Sequence, residues 1–587
     1  MKKGTINGVS RHAPYFVPDE AIKVFHNHIL SDQRISKDLP SDIQEAAAKV
    51  HFTGSPSPSL PINWRFAEAV SSLKALEASL VNVLVKRKYH TQLSDVTIDT
   101  DHATLFIMSG SLWSIDPGEG GLNITAVNLR KPPPELEQFF PNCDIHRSHA
   151  TLHRSLATGI YPTSDDRYFN IHGDMNPDPC LDALDLPHDM DHPSFEAGVQ
   201  CFQNAVGRLS SSDLEHRFSD LHHQSGTTCL SRSEFNASAH GKANAHVGLW
   251  ELHPHPNPSQ PPCWWPSIPS TSPARPLAGL KVVDLTRVIA APAVTRGLAE
   301  LGASVMRVTA PHLPDVSGLH PDLNWGKWNT HLDLRNQSDR EKLRVLILDA
   351  DVVVQAYRPS ALAKYGFSEQ DILSLCSTRS RGIISVRENC YGWHGPWSHR
   401  SGWQQISDAV CGCDVGFGEA MGLENGEAVQ PIYPHSDYCT GISGTCAILI
   451  ALMRRAEEGG SFAVDLALNY YTTWLVNSVA EYPKEVWEKV WAEHGRKVWR
   501  SWDANTTTGP ATMKSLRAGE GGKRLFKEEF FGKRKAPGIL GEKVFRHIKP
   551  VAQSPAGTVE PGFRIGTRGN GVDAPHWPKD LSAEVVG

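Results

Sequence analysis

The chain of 587 residues contains no apolar run approaching the ~18 residues of the shortest membrane-spanning helix, so a bilayer protein is not expected. A mean hydropathy of -0.33, with 40% hydrophobic and 21% charged residues, fits a globular protein instead. The opening MKKGTINGVSRHAPYF has two lysines and no apolar segment behind them, so it does not read as a secretory leader. The closing LSAEVVG carries no terminal address such as Ser-Lys-Leu, and the cytoplasm is expected by default. Excess positive charge is missing too. With a net charge of -6 and a pI near 6.5, the molecule offers nucleic acid no attraction. Its densest basic stretch, 522–535, is interrupted by acids and reads first as a solvated face, with a hold on a polyanionic cofactor as a secondary use.

Metal motifs are equally scarce. HExxH is absent despite 28 histidines, and Cys411 with Cys413 lacks a second cysteine pair at zinc-finger spacing, so no metal is expected. Eleven cysteines, an odd number scattered over a long chain, read as reduced thiols and not as a disulfide framework. The glycosylation pattern at Asn123 has no secretory context and is read as chance.

What is present divides the chain near its middle. Nine prolines fall between 254 and 276, and proline removes a backbone donor and fixes φ, so an extended connector is expected there. Beyond it, LKVVDLTRV reads as strand, APAVTRGLAELGA as helix and SVMRV as strand, which is a βαβ unit. DADVVVQAY and RGIISV supply further strands. This alternation points to an α/β fold with a doubly wound, Rossmann-like parallel sheet. GxGxxG is missing, so no dinucleotide site is indicated. Before the connector, Val70, Leu73, Leu76, Leu80 and Leu84 share one helical face. That segment and residues 436–475 both run from a helix through a basic end into a strand and a second apolar element, about 368 residues apart, which reads as a weak internal repeat.

The segment SDYCTGISGTCAIL puts Asp437 at the start of a helical pattern. A capping role explains such an acid, because a carboxylate there accepts from free N–H groups and suits the positive end of the dipole. A nucleophile is the other reading. The following Gly441, Ser443 and Gly444 would allow close approach to a substrate, and helix N–H groups could stabilise an oxyanion.

Five blocks bear on that choice: RPLAGLKVVDLTRVIAAPAVTRGLAELGASVMRV, LNWGKWNTHLDLR, DADVVVQAYRPSALAKYGF, HGPWSHRSGWQQISDAV and SDYCTGISGTCAILIAL. In order and spacing they resemble the class III CoA-transferase (CaiB/BaiF) family, which also contains the 2-methylacyl-CoA racemases. The resemblance is clear from 276 to about 475, fainter over 61–262, and afterwards carried only by PGFRIGTRGNG near 562. It implies a Rossmann-like domain plus a smaller α+β domain, with an additional partial module at the N-terminus. The corresponding division is an extension (1–60), a partial module (61–252), a proline-rich linker (253–275), the main module (276–480) and a C-terminal region (481–587). Family subunits interlock as rings, so two tail-type halves in one chain imply either an internal pseudo-dimer or a homodimer.

The same resemblance implies chemistry. Asp437 would be the nucleophile of a CoA-transferase, with an acyl-CoA and a small carboxylic acid as partners and CoA thioester as substrate, no cofactor being permanently bound. Arg287, Lys327, Arg358 and Lys364 would meet the CoA phosphates, and Trp403 would line the acyl pocket. Departures qualify this. A tryptophan replaces part of a cationic pair in NWGKW, and Thr309 ends the second strand where an acid is usual. Ile289 stands where formyl-CoA transferases carry glutamine. Trp403 stands where the racemases have histidine, so racemisation is the alternative only if His394, His399 or His435 substitutes as base. A non-catalytic CoA-binding relic is the third reading.

Overall fold

The computed structural model describes residues 14–118, 121–123 and 133–587. The readings of the first 13 residues and of the two that follow Asn123 lie outside the described residues.

Seven strands build the main sheet: Glu251–His255 (β1), Lys281–Leu285 (β2), Ser304–Thr309 (β3), Lys327–His331 (β4), Val352–Gln355 (β5), Ile384–Asn389 (β6) and Ser461–Ala467 (β7). Their spatial order is β4-β3-β2-β5-β6-β7-β1. Strands β2 to β7 run parallel, and β1 closes the edge antiparallel to β7. Val282, Val283, Val352, Val353 and Val354 are all fully buried, as expected of strands covered on both faces. The chain winds outward from β2 in one direction and then, from β5, in the other. This reversal of strand order opens a crevice at the carboxyl ends of the strands.

Three helices matter for the site: Phe66–Tyr89 (α1), Ala290–Glu300 (α2) and His435–Glu458 (α3). By length and composition α3 could cross a membrane, yet it is buried inside the protein core. Helices α2 and α3 meet at glycines. A Cβ on Gly441 would lie 2.5 Å from the Ala293 methyl, and one on Gly444 would lie 2.6 Å from both Val294 and Leu466. Ser443 is buried and donates to the Cys439 carbonyl. The small residues expected to admit a substrate therefore serve helix packing instead.

The proline-rich stretch contains no helix and, past its first residues, no strand. Its first residues complete β1, where Pro254 is tolerated because the strand lies at the sheet edge. Further on, Gln260 is buried and donates to the Cys376 carbonyl, and buried Trp265 donates to the Ala278 carbonyl. The segment is packed against the rest of the protein. One hydrophobic core crosses it, containing Leu73 and Leu76 of α1 with Val305 of β3 and Leu449 of α3.

Both parts of the suspected repeat have the same element order. Helix α1 is followed by strand Val96–Asp99 and helix Thr100–Phe106, just as α3 is followed by β7 and helix Leu468–Trp474. Strand Val96–Asp99 pairs in parallel with Val50–Thr53, as β7 does with β6, and Ala552–Gln553 closes this three-stranded sheet antiparallel to it. The first residues of α1 and α3 touch, with the Phe66 ring stacked on His435 at 4.0 Å. The C-terminal region folds back beside β4, where the Gly326 amide donates to the Ile565 carbonyl and the Asp573 amide to the Asn329 carbonyl.

Candidate active site

A cavity of about 360 Å³ opens where the strand order reverses. Residues Arg287 to Ala290 follow β2, Ala356 to Pro359 follow β5, Glu388 and Asn389 end β6, and Asp437 enters from the first turn of α3. The opposite wall comes from the other half of the chain through Asp174, Met175, Asn176, His222 and Gln224. On the sheet side, after β2, the β-branched Val288 holds φ at +70°, a strained conformation of the kind that clusters at functional sites.

Among the described residues Asp437 accepts no hydrogen bond from the helix start, which removes the hydrogen-bonding part of the capping reading and leaves only the dipole. Its half-buried carboxylate faces the cavity. Burial, with Asp408 adding to it, holds the group well above the ordinary carboxylate range. Asp408 lies behind it, fully buried and pushed up to about 7 by that burial. Asp408 accepts from Gln404 and Thr472, and its oxygen is 3.7 Å from the Nε2 of His435. Asp408, Cys413 and His435 stand close enough together to hold an ion, although all three are sealed in the core and away from the cavity lining.

Three of the five expected binding residues reach the cavity. Arg287 donates to the Pro314 carbonyl at 2.6 Å and lies over the Tyr357 ring. Arg358 donates to the His223 carbonyl at 3.0 Å and to Asp174 at 2.7 Å. Trp403 donates to the other oxygen of Asp174 at 2.5 Å and stacks on His172. Asp174 thus ties Arg358 and Trp403 together, and its own ionised form is stabilised below the usual range by hydrogen bonding from His172 against the opposing cost of burial.

The two lysines do not join them. Lys327 is fully buried in β4, paired with Asp284 at 3.0 Å and donating to the Pro292 carbonyl, so no phosphate can reach it. Lys364 is exposed on a short turn, its ammonium over the Tyr365 ring, and borders neither the main cavity nor its smaller neighbour. The candidate bases also fall elsewhere. His394 pairs with Glu251, His399 is on the surface, and His435 is buried against Phe66 with its pKa lowered to about 3 by that burial.

The sequence profile of CoA-transferase family III matches residues 277–499. Across 575 residues, 97% of this chain and 95% of the relative, the sequence is 48% identical to the acetyl-coenzyme A transferase nodX of Hypoxylon pulicicidum. The chain belongs to CoA-transferase family III. An acyl-CoA transferase of Gibberella moniliformis is 31% identical over 461 residues, covering 77% of this chain and 78% of the relative. Among solved structures, a CAIB/BAIF family protein from Brucella suis is 28% identical, with 35% of this chain and 56% of that one covered at a TM-score of 0.31.

In this family III CoA-transferase, sequence reasoning missed most of one wall. Asp174, His222 and Gln224 precede the five matching blocks, and nothing in their local pattern marks them as cavity residues. Arg400, also in the lining, is held by Glu215 and adds a cation. Glu388 was hidden because a charged residue at a strand end ordinarily reads as the point where the chain meets solvent.

Proposed function

We propose that this CoA-transferase moves CoA from an acyl-CoA to a carboxylic acid, with Asp437 as the nucleophile. The observation that carries the reading is a carboxylate without a hydrogen-bond partner among the described residues, facing a cavity at the carboxyl ends of a doubly wound sheet. An Asp437 oxygen attacks the thioester carbon, the C–S bond breaks, and CoA leaves as thiolate from a mixed anhydride. The thiolate then attacks the Asp437 carbonyl carbon, which releases the first acid and leaves an aspartyl thioester. Attack by the second acid and return of the thiolate complete the exchange with no net proton transfer. A carboxylate that is poorly solvated attacks more readily than a hydrated one, so burial of Asp437 favours this step once the group is ionised.

Arg287, Arg358 and Arg400 are the cations that support phosphate binding at the mouth, in place of the two lysines. One chain supplies both walls of the cavity, which supports the internal pseudo-dimer over a site shared between two copies. All eleven cysteines are unpaired, in keeping with a reducing compartment such as the cytoplasm. Asp437→Asn should bind CoA by calorimetry and lose transfer between an acyl-CoA and a labelled acid. Full transfer by that variant refutes the nucleophile. Racemisation retains one supporting feature, because His222 lines the cavity; deuterium entering the α-carbon from heavy water would show it, and its absence dismisses it.

A further inference from the structure

The cavity contains a second carboxylate with no assigned task. Glu388, the penultimate residue of β6, lines it together with Asp437 and has no hydrogen-bond partner among the described residues. It also borders the smaller neighbouring cavity of about 160 Å³.

The surrounding charges do not neutralise it. Arg387, beside it on β6, turns to Asp465 and Glu369 and stacks on Trp393. Arg358, after β5, is committed to Asp174. Burial pushes up the Tyr357 phenol and the Cys390 thiol, so both stay neutral near pH 7. Arg287 lies over Tyr357, Arg400 is paired with Glu215, and His222 stands on the opposite wall. Beside the paired Asp174, that leaves two acids without a hydrogen-bond partner among the described residues facing one small volume, into which the reaction brings a further carboxylate, the released or incoming acid. Such a group of like charges retains a proton. The helix start favours the negative form at Asp437, in the first turn of α3, whereas Glu388 on a strand has no such field. Burial and then the charge of Asp437 raise Glu388 well above the ordinary carboxylate range.

We propose that Glu388 is a further catalytic residue, held protonated, whose O–H donates to the acyl oxygen of the substrate. That oxygen becomes negative when the Asp437–carbon bond forms. It returns to a neutral carbonyl in the mixed anhydride and gains negative charge again when the thiolate attacks the Asp437 carbonyl carbon and the same acyl group departs as a free carboxylate. One neutral donor therefore serves each half of the exchange, and Glu388 keeps its proton throughout. This assignment rests on the transfer reading with Asp437.

The test compares Glu388→Ala and Glu388→Gln in the full chain, reading kcat against pH and CoA binding by calorimetry. Glu388→Ala should lower kcat on the order of 100-fold, the usual loss for one oxyanion donor. Glu388→Gln, which keeps a neutral donor, should recover most of that. The wild type should show a bell-shaped profile, rising as Asp437 ionises and falling as Glu388 loses its proton. Glu388→Gln should abolish the alkaline fall while the acid limb stays. A Gln variant as inactive as the Ala variant, with CoA binding intact, overturns the proposal, because an ionised carboxylate is then what the site needs. An unchanged profile in Glu388→Gln overturns it as well. Should either variant fail to bind CoA, the wild-type profile decides alone: activity with no alkaline fall overturns the protonated donor. Retained transfer in Asp437→Asn is a different outcome, since it removes the underlying reading and not this assignment alone.

Discussion

Replacing Lys327 with methionine separates two roles that its motif position leaves open. Were the lysine a phosphate partner, Lys327→Met would raise KM for acyl-CoA and leave stability alone. The structure instead gives it a buried ion pair with Asp284 at 3.0 Å, both side chains at 0% exposure. At an effective dielectric of ~20 the attraction over that distance is about 5.5 kcal/mol, and most of it offsets desolvation. Removing the cation leaves Asp284 hydrogen-bonded, among the described residues, to the hydroxyls of Thr286 and Thr295. Breaking a buried pair from one side costs about 3–5 kcal/mol. Urea unfolding followed by tryptophan fluorescence should show a loss of that size, and Lys327→Met combined with Asp284→Leu should regain much of it. The pH dependence has a definite sign. Burial lowers Lys327 to about 8, below the 10.5 of the unfolded chain, so the unfolded state binds the proton more tightly. Stability contributed by this site is therefore reduced below pH 8 and recovers as pH rises towards 10.5, by about 3 kcal/mol in all, a dependence absent from Lys327→Met. A variant with wild-type unfolding and a raised KM refutes the structural assignment.

Other substitutions probe the remaining contacts. Asp174→Ala releases both Arg358 and Trp403, and the loss of charge-assisted hydrogen bonds should raise KM for acyl-CoA about tenfold or more; an unchanged KM contradicts the positioning role. Gly444→Ala places a methyl 2.6 Å from Val294 and Leu466, so urea unfolding should show a loss of about 1–3 kcal/mol. Lys364→Ala should change stability by less than about 0.5 kcal/mol and leave KM as it was, because the side chain is exposed and away from the cavity.

The central strands were legible because β2, β5 and β6 are apolar, β-branched runs that can be buried on both faces. β4 was not, since KWNTH has no such pattern and its lysine is buried through pairing with Asp284, a partner 43 residues away in sequence. β1 was hidden by its proline, which an edge strand tolerates. Asp437 was legible as a helix start, and only its neighbouring blocks suggested more. Its setting depends on Asp174 and His222, which the fold brings in from across the chain's midpoint, and no local spacing encodes that approach. Lysines 327 and 364 share a motif context with Arg287 and Arg358, which do line the cavity. Burial of one and outward direction of the other are tertiary facts.

The most direct measurement is to incubate the protein with an acyl-CoA, add hydroxylamine, and map the modified peptide by mass spectrometry. The expected result is a hydroxamate on Asp437, formed only when acyl-CoA is present and missing in Asp437→Asn. Turnover with an unmodified Asp437, or an adduct confined to another side chain, contradicts the aspartyl route.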